Sequence, residues 1–527
     1  MRSAVTAQRF GLTAILLDCA DLGSALALHQ HLQHNPPVGV VELIPAAQTV
    51  LVRFETAAQA TYFAQHFAWD GGAHASVTSK DPRTIEVIYD GLDLEDVAKM
   101  FNMSTEQVIN AHTQQQWSVA FAGFAPGFFY LHAEGNVLDA PRRSSPRTAV
   151  PTGSVGLAGQ FSGIYPRESP GGWQLIGRTN APLWDLQQDP PALLEPGNQV
   201  QFKAVREHTH VASSSAPAPK TAQRSTAQVV TSGAQLLYQD AGRAQQTHWG
   251  VSPSGFADPV AAHEANYLVG NEPDATVLES LMGGFVLEAH EDSVMALSGA
   301  QALAIITEGD ELDRVVPAHT PFALLSGQTL RVGISEVGLR VYLAVRGGFD
   351  VELSAHSASF DTMSAIGPAP LTAGDTLYAG KITGKAVRVP TPAPALPKND
   401  EVTEVRVILG PRENWFTAES LENFSSVNWK VSPQSNRIGV RLVPDTENNT
   451  AVLQREITSE LPSEGMISGA IQVPPNGEPV VFLADHPVTG GYPVIATVHP
   501  EDLRLLAQSQ PGTTLRFTRF NNDEAIH

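Results

Sequence analysis

The sequence predicts a mainly β protein with a small α+β domain at its N-terminus. Three observations carry that expectation. The first hundred residues alternate strand-like and helix-like patterns. Most of the remainder consists of short Val/Ile/Leu runs broken by glycine and proline. One stretch, Phe121–Thr179, places glycine or proline every few residues while keeping a high aromatic and aliphatic content. Glycine admits a positive φ or a close backbone approach, and proline fixes φ and removes a donor. That mixture excludes a run of helices and reads as short strands joined by tight turns.

The first domain, 1–100, is read as follows. Thr13–Leu17 is a strand, Leu22–Leu32 a helix, Val38–Leu43 and Thr49–Phe54 a hairpin pair around Pro45, Ala57–Phe67 a helix, and Thr84–Tyr89 a strand. The β-α-β-β-α-β order suggests a ferredoxin-like domain. Two short helical segments follow between Leu92 and His112, the second opening on a capping box of Ser104 with Gln107 three residues on. A helix pair with a tight turn resembles a DNA-reading motif, but the second segment carries no Arg or Lys for phosphates or bases. A structural helix pair is the better reading.

A β-barrel is expected over 101–206, its wall formed by 121–179 and finished by Leu193–Val205. Arg142, Arg143, Arg147, Arg167 and Arg178 lie among its turns, and arginine suits carboxylate or phosphate. No Gly-Lys-Ser/Thr follows any glycine here, which argues against a P-loop. Residues 207–228, rich in Ser, Ala, Pro, Thr and Gln from Ala212 on, read as a flexible linker. Two further β-rich modules are expected at 229–388 and 402–527, separated by a Pro-rich break at 389–401; these two look related to each other.

Length and charge bound the rest. A chain of 527 residues exceeds one core. Formal charge is −21, and lysines are few among the 33 basic residues. Such an acidic, arginine-biased chain is a poor partner for nucleic acid or anionic membranes. A single cysteine, Cys19, excludes an internal disulfide and fits a reducing cytosol. Leu12–Leu17 is apolar but short and followed by Asp18 and Asp21, so neither a signal peptide nor a membrane span is expected. A cytoplasmic protein is expected.

The segments Gly123-Phe124-Ala125-Pro126-Gly127-Phe128, Pro141-Arg142…Pro146-Arg147, Val150-Pro151-Thr152-Gly153-Ser154-Val155, Gly163-Ile164-Tyr165-Pro166 and Ser169-Pro170-Gly171-Gly172-Trp173 through Arg178-Thr179 together resemble the KipI family. That family is also described as the B component of 5-oxoprolinase, or as the first component of allophanate hydrolase. Departures are Phe129, where the family has Pro, and Phe161-Ser162, where it has Gln-Thr. From residue 229 the chain resembles the KipA family, the C component of the same enzyme. The resemblance runs through Gln239-Asp240-Ala241-Gly242-Arg243, Gly250–Gly255, Ala265–Asn271, Arg346-Gly347-Gly348-Phe349, Ser435–Gly439, Gly469–Pro475 and Asp485-His486-Pro487 through Pro493. Residues 355–359, Ala-His-Ser-Ala-Ser, depart from that family's Gly-Ser-x-Ser-Thr.

The resemblance implies cyclophilin-like β-barrels in both parts and a carboxyltransferase-type domain. It further implies the B and C components of an ATP-dependent 5-oxoprolinase, which opens 5-oxo-L-proline to L-glutamate with a separate LamB/YcsF-type subunit. ATP and Mg²⁺ are the implied cofactors, and a homo-oligomer is compatible with it. Phosphoryl transfer needs positioning and charge neutralisation, so donors, a carboxylate and a base are sought. The candidate catalytic residues are His112, Asp485 and His486, with Asp485 also the candidate metal ligand. The candidate nucleotide- or substrate-binding residues are Arg147, Gly153, Ser154, Gly156, Gly159, Tyr165, Arg178 and Arg243. Two other readings stand beside this one. A carboxyltransferase like that of urea carboxylase uses the same modules in reverse order, and this chain has no Ala-Met-Lys-Met biotin attachment site. A KipI-type histidine kinase inhibitor is the non-enzymatic alternative.

Overall fold

The computed structural model describes residues 5–69, 71, 82–143, 145, 147–207, 225–308, 313–382, 385–445 and 452–520. The fold is mainly β with an α+β N-terminal part, as the sequence predicts. Its first sheet is antiparallel, in the order Thr6–Phe10, Ala14–Asp18, Thr49–Phe54, Val40–Pro45. Helices Leu22–His34, capped by Asp21, and Ala57–His66, with a Thr56–Gln59 capping box, cover one face. Ile15, Leu17, Val50 and Val52 point to those helices, whereas Leu16, Ile44 and Leu51 point the other way. The second face packs on Met466, Phe482, Val488 and Val494 of the C-terminal barrel. Both faces being dry, Ala14–Leu17 is an unbroken apolar run rather than an alternating one. Each Val, Leu or Ile among them contributes about 1.5–3 kcal/mol on burial.

The ferredoxin-like expectation needs correction at one edge. There the fourth strand would lie beside the first, but Thr6–Phe10 takes that place by forming a hairpin with Ala14–Asp18. The strand expected at 84–89 forms as Arg83–Val87 and joins the following barrel instead, parallel to Gln199–Ala204.

That barrel has seven strands in the order Gln174–Arg178, Ser154–Ala158, Phe161–Ile164, Phe129–His132, Trp117–Ala122, Gln199–Ala204, Arg83–Val87. Paired backbone bonds between Ile88 and Arg178, 2.9 and 2.8 Å, link its two end strands. Helices Leu94–Met100 and Thr105–Gln114 pack on it, the second with the expected Ser104–Gln107 box.

The middle module consists of a six-stranded and a five-stranded sheet enclosing one apolar core. Its first strand is Ala227–Ser232, so the end of the expected linker is part of a sheet, with Ala227 fully buried. The rest of that linker, 208–224, lies outside the described residues. The Pro-rich break at 389–401 carries no helix or strand.

The C-terminal module is a closed barrel: Val402–Leu409, Val494–Val498, Ala470–Gln472, Val480–Phe482, Gly439–Pro444, Trp429–Val431, Thr514–Arg519. Strand for strand this is the circular order of the first barrel. In each, the first and last strands run parallel. Each carries the same side ribbon, Arg147–Val150 with Ser169–Gly171 in one and Glu464–Gly465 with Thr489–Gly490 in the other. The structural repeat therefore links the first barrel with the last, not the two C-terminal modules as the sequence suggested.

Candidate functional site

A cavity of about 520 Å³ lies where the N-terminal sheet, the middle module and the C-terminal barrel meet. Glu42 and Arg53 line it from the sheet, Ser254 and Phe256 from the middle module, and His486, Met466 and Arg504 from the barrel. Glu42 and Arg53 are directly opposed on neighbouring strands, beside a register shift between Val40 and Glu42. Their contact is single, Arg53 Nη2 to Glu42 Oε2 at 3.1 Å. Bulges of this sort re-aim side chains near functional sites.

His486 follows Phe482 in the turn after its strand and stacks on that ring at 5.9 Å. Its Nδ1 lies 2.9 Å from the Pro487 carbonyl oxygen. A carbonyl only accepts, so Nδ1 carries the proton and Nε2 keeps the lone pair. Burial, with the positive charge of Arg53 adding to it, lowers the His486 pKa to about 4. A neutral imidazole with a basic nitrogen therefore stands in the cavity wall at neutral pH.

Its neighbour Asp485 has a different role from the one expected. Its carboxylate, wholly buried, receives Arg437 Nε and Nη2 at 3.0 Å each, Ser254 Oγ at 2.7 Å, and Thr362 N and Oγ1 at 2.8 and 2.7 Å. Burial alone would raise its pKa; Arg437 and these bonds outweigh it and hold it below the usual range. Both oxygens are saturated, so Asp485 does not fit a metal. Arg437 also pairs with Glu279, which accepts from Tyr342 Oη at 2.8 Å. The network ties the barrel to the middle module. Among the described residues no three His, Cys, Asp or Glu converge as a metal set.

The altered loop 355–359 is anchored by Asp240. Ser357 and Ser359 hydroxyls donate to Asp240 Oδ1 at 2.6 and 2.7 Å, and the Ala358 amide to Oδ2 at 2.6 Å. Ala355 and His356 hold φ of 49° and 65°, and Ser254 nearby in the network holds 53°. Non-glycine residues rarely adopt such values, so this strain is held by the surrounding bonds. Arg243 is 2% exposed and donates from its guanidinium to the carbonyls of Ser354, Ser359 and Ile366, pinning the same loop.

The glycine-rich wall does not offer the free amides expected of it. Gly153 N donates to Tyr165 O at 2.7 Å and Gly159 N to Ala140 O at 2.6 Å. Gly156 pairs with Gly163 in the sheet, and Ser154 Oγ donates to Pro151 O at 2.7 Å. Gly153 has φ +79° and an added Cβ would lie 2.1 Å from the Thr179 carbonyl, so close packing explains that glycine. Tyr165 is a core residue against Phe124 and Phe128, and burial pushes its phenol up to about 12. Arg147 and Arg143 converge on buried Asp93, at 2.7 and 2.8 Å. Arg178 pairs with Asp90 at 2.9 Å on the surface. His112 is fully buried, with Nδ1 2.7 Å from Tyr89 Oη and Nε2 2.8 Å from Ser162 Oγ. Burial drives its pKa to about 3. These bonds occupy both ring nitrogens, so His112 is structural, and Ser162, one of the family departures, is its partner.

Of the expected residues, His486 lines the cavity, while Asp485 and Arg243 brace the loops behind it. Arg147, Gly153, Ser154, Gly156, Gly159, Tyr165, Arg178 and His112 belong to the first barrel and do not line it. Sequence reasoning missed Glu42 and Arg53. Their signal was a lone charge inside each of two apolar strands, Val40-Val41-Glu42-Leu43-Ile44 and Val50-Leu51-Val52-Arg53-Phe54.

Two family models match in succession: "Carboxyltransferase domain, subdomain C and D" over residues 5–194 and "Carboxyltransferase domain, subdomain A and B" over residues 249–519. The C component of 5-oxoprolinase from Escherichia coli K12 is 33% identical over 301 residues, 56% of this chain and 92% of that protein. The B component of 5-oxoprolinase from Bacillus subtilis is 49% identical over 117 residues, 22% of this chain and 49% of that protein. The crystal structure of TTHA0988 superposes with a TM-score of 0.81 at 32% identity, covering 96% of this chain and 99% of the other. The chain thus belongs to the carboxyltransferase-domain family, carrying in one polypeptide both subdomain pairs and both parts that its relatives hold as the separate B and C components of 5-oxoprolinase.

Proposed function

We propose that this chain is the B-plus-C component of an ATP-dependent 5-oxoprolinase, opening 5-oxo-L-proline to L-glutamate in the cytoplasm with a separate LamB/YcsF-type subunit. The observation that carries the proposal is the union in one chain of parts similar to the B and C components of that enzyme. The three-walled cavity supports it, since its volume suits a small molecule and its lining mixes apolar side chains with a few polar ones. The single cysteine fits a reducing compartment.

ATP, when bound, would make the lactam carbon electrophilic by phosphorylating the amide oxygen. The residues first expected to hold ATP and Mg²⁺ do not fit them. The Gly153 and Gly159 amides are bonded to backbone carbonyls, and Asp485 has no open oxygen. No phosphoryl step is therefore assigned to these residues. The chain's own contribution is clearer in the cavity. Arg53 supplies a cation, and neutral His486 accepts a proton at Nε2 from the attacking water and returns it to the departing ring nitrogen.

The test is reconstitution with a LamB/YcsF-type protein, ATP and Mg²⁺, assaying glutamate and phosphate. Glutamate formation that requires this chain and 5-oxoproline is expected. Inert 5-oxoproline, with carboxyl transfer from a biotinylated carrier, would overturn the proposal in favour of carboxyltransferase chemistry.

A further inference from the structure

The Glu42–Arg53 pair is only half satisfied. Glu42 is 8% exposed, yet its Oε1 has no hydrogen-bond partner among the described residues, and neither does Nε of Arg53; both atoms are shielded from solvent. A buried carboxylate oxygen without a donor is costly, so such an atom calls for an explanation. A bidentate pair would satisfy both atoms, and the directly opposed strand positions place the residues close enough for one. Instead a single Nη2–Oε2 contact leaves one acceptor and one donor over, on two residues that line the cavity.

The chemistry of the leftover atoms restricts what could complete them. An anion would suit Arg53 but meet the carboxylate of Glu42. A cation would suit Glu42 but meet the guanidinium. A group that offers a donor and an acceptor side by side satisfies both. The edge of a cyclic amide is such a group, because the ring holds N–H and C=O on the same side. Because both atoms are shielded, ligand binding requires both side chains to turn: the Glu terminal torsion is broad and soft, and the Arg53 side chain, 35% exposed, has room to rotate with it.

We propose that Glu42 and Arg53 read the amide edge of a small lactam in this cavity, Glu42 accepting from the ring N–H and Arg53 donating to the carbonyl oxygen. This rests on the function proposed above and adds the residues that select its substrate. The pair recognises the amide rather than reacting with it, so no bond is made or broken at this step. Glu42 sets the choice between a lactam and its ring-oxygen counterpart, since an ether-like oxygen presents a lone pair to a carboxylate. His486 lies in the same wall, with its basic nitrogen available to the reaction.

The test is titration calorimetry on the whole chain with 5-oxoproline and with the lactone of the same shape, in which oxygen replaces the ring N–H. The native chain should favour the lactam by about 10- to 100-fold, the loss expected when a buried acceptor faces no donor. Glu42→Gln, nearly the same shape, should reduce that preference to within about threefold, because its amide can donate to the ring oxygen. Arg53→Lys keeps the charge without the Nε donor and should weaken both ligands alike; it serves as the second variant if Glu42→Gln fails to fold. Full lactam preference in a folded Glu42→Gln protein, or a change in that preference with Arg53→Lys, overturns the inference and leaves the oxoprolinase proposal standing. Binding of neither ligand by the native chain overturns both.

Discussion

His112 and Phe424 hold the same place in the two sister barrels. His112 stacks on Phe202 at 4.4 Å and Phe424 on Phe517 at 4.7 Å. Each sits five residues before a tryptophan whose Nε1 donates to its carbonyl, Trp117 to His112 at 3.0 Å and Trp429 to Phe424 at 3.1 Å. One barrel fills this spot with a hydrocarbon ring and the other with a neutral imidazole satisfied at both nitrogens. His112→Phe should therefore fold. It should cost about 1–3 kcal/mol, chiefly through the Tyr89 hydroxyl it leaves without a partner, since Ser162 Oγ keeps the Gly156 carbonyl at 3.4 Å. It should also flatten the acid side of the stability curve. Folded His112 has a pKa of about 3, so the unfolded chain takes up the proton first and stability falls as pH drops below about 6.5. Urea unfolding of both proteins between those limits measures the difference; an unchanged slope would contradict it.

Asp485 and Arg437 form a buried bidentate pair, and removing one partner strands the other's charge. Asp485→Ala should lower stability by about 3–5 kcal/mol. Combining Asp485→Leu with Arg437→Met should restore part of that loss, since Glu279 retains Arg340 at 3.4 Å. Denaturant midpoints give both values. In the reconstituted enzyme the Mg²⁺ concentration for half activity should not change with Asp485→Ala; a large rise would return Asp485 to the metal.

Arg178→Lys should alter little. The Arg178 side chain is 58% exposed and its partner Asp90 is also on the surface, so their pair is worth about 0–1 kcal/mol. What this residue contributes to barrel closure is its backbone, bonded to Ile88, which lysine preserves. Melting temperature and turnover should both stay near the native values, and a tenfold loss of turnover would place Arg178 at the site after all.

His486→Gln should lower kcat by about 10²–10⁴-fold if the ring is the base, with little change in melting temperature. In the native enzyme kcat/KM should not fall through pH 6.5 on account of this histidine. The decline belongs near its pKa of about 4, since protonation below that value removes the lone pair. A pH–rate profile over pH 3.5–8 decides between those positions. An inflection near 6.5 lost in the variant would mean that the ring is solvated during turnover.

The elements of the N-terminal domain were legible because their signals are local. Asp21 and Thr56 cap their helices, and the Ser104–Gln107 box opens another. Partner choice was not legible. Nothing within Arg83–Val87 says whether it completes the first sheet or founds the next barrel, because that is decided by Gln199–Ala204, more than a hundred residues on. The repeat between barrels was hidden for a similar reason. Side chains have diverged, leaving Trp117 with Trp429 and Gly171-Gly172-Trp173 with Gly490-Gly491-Tyr492 as traces of a shared topology. Among site residues, His486 stood out beside its Gly-Gly turn. The arginines misled because their carboxylates, Asp90 and Asp93, lie far from them in sequence.

The cavity draws its walls from both halves of the chain, which has a kinetic corollary. When such walls sit on separate polypeptides, the pocket exists only in the associated fraction, and dilution empties it. A covalent join replaces that encounter with an effective local concentration on the millimolar scale and fixes the stoichiometry at one to one. The pocket of this protein is thereby a first-order property of the chain: its presence does not depend on protein concentration, and only the docking of any further partner remains a second-order event.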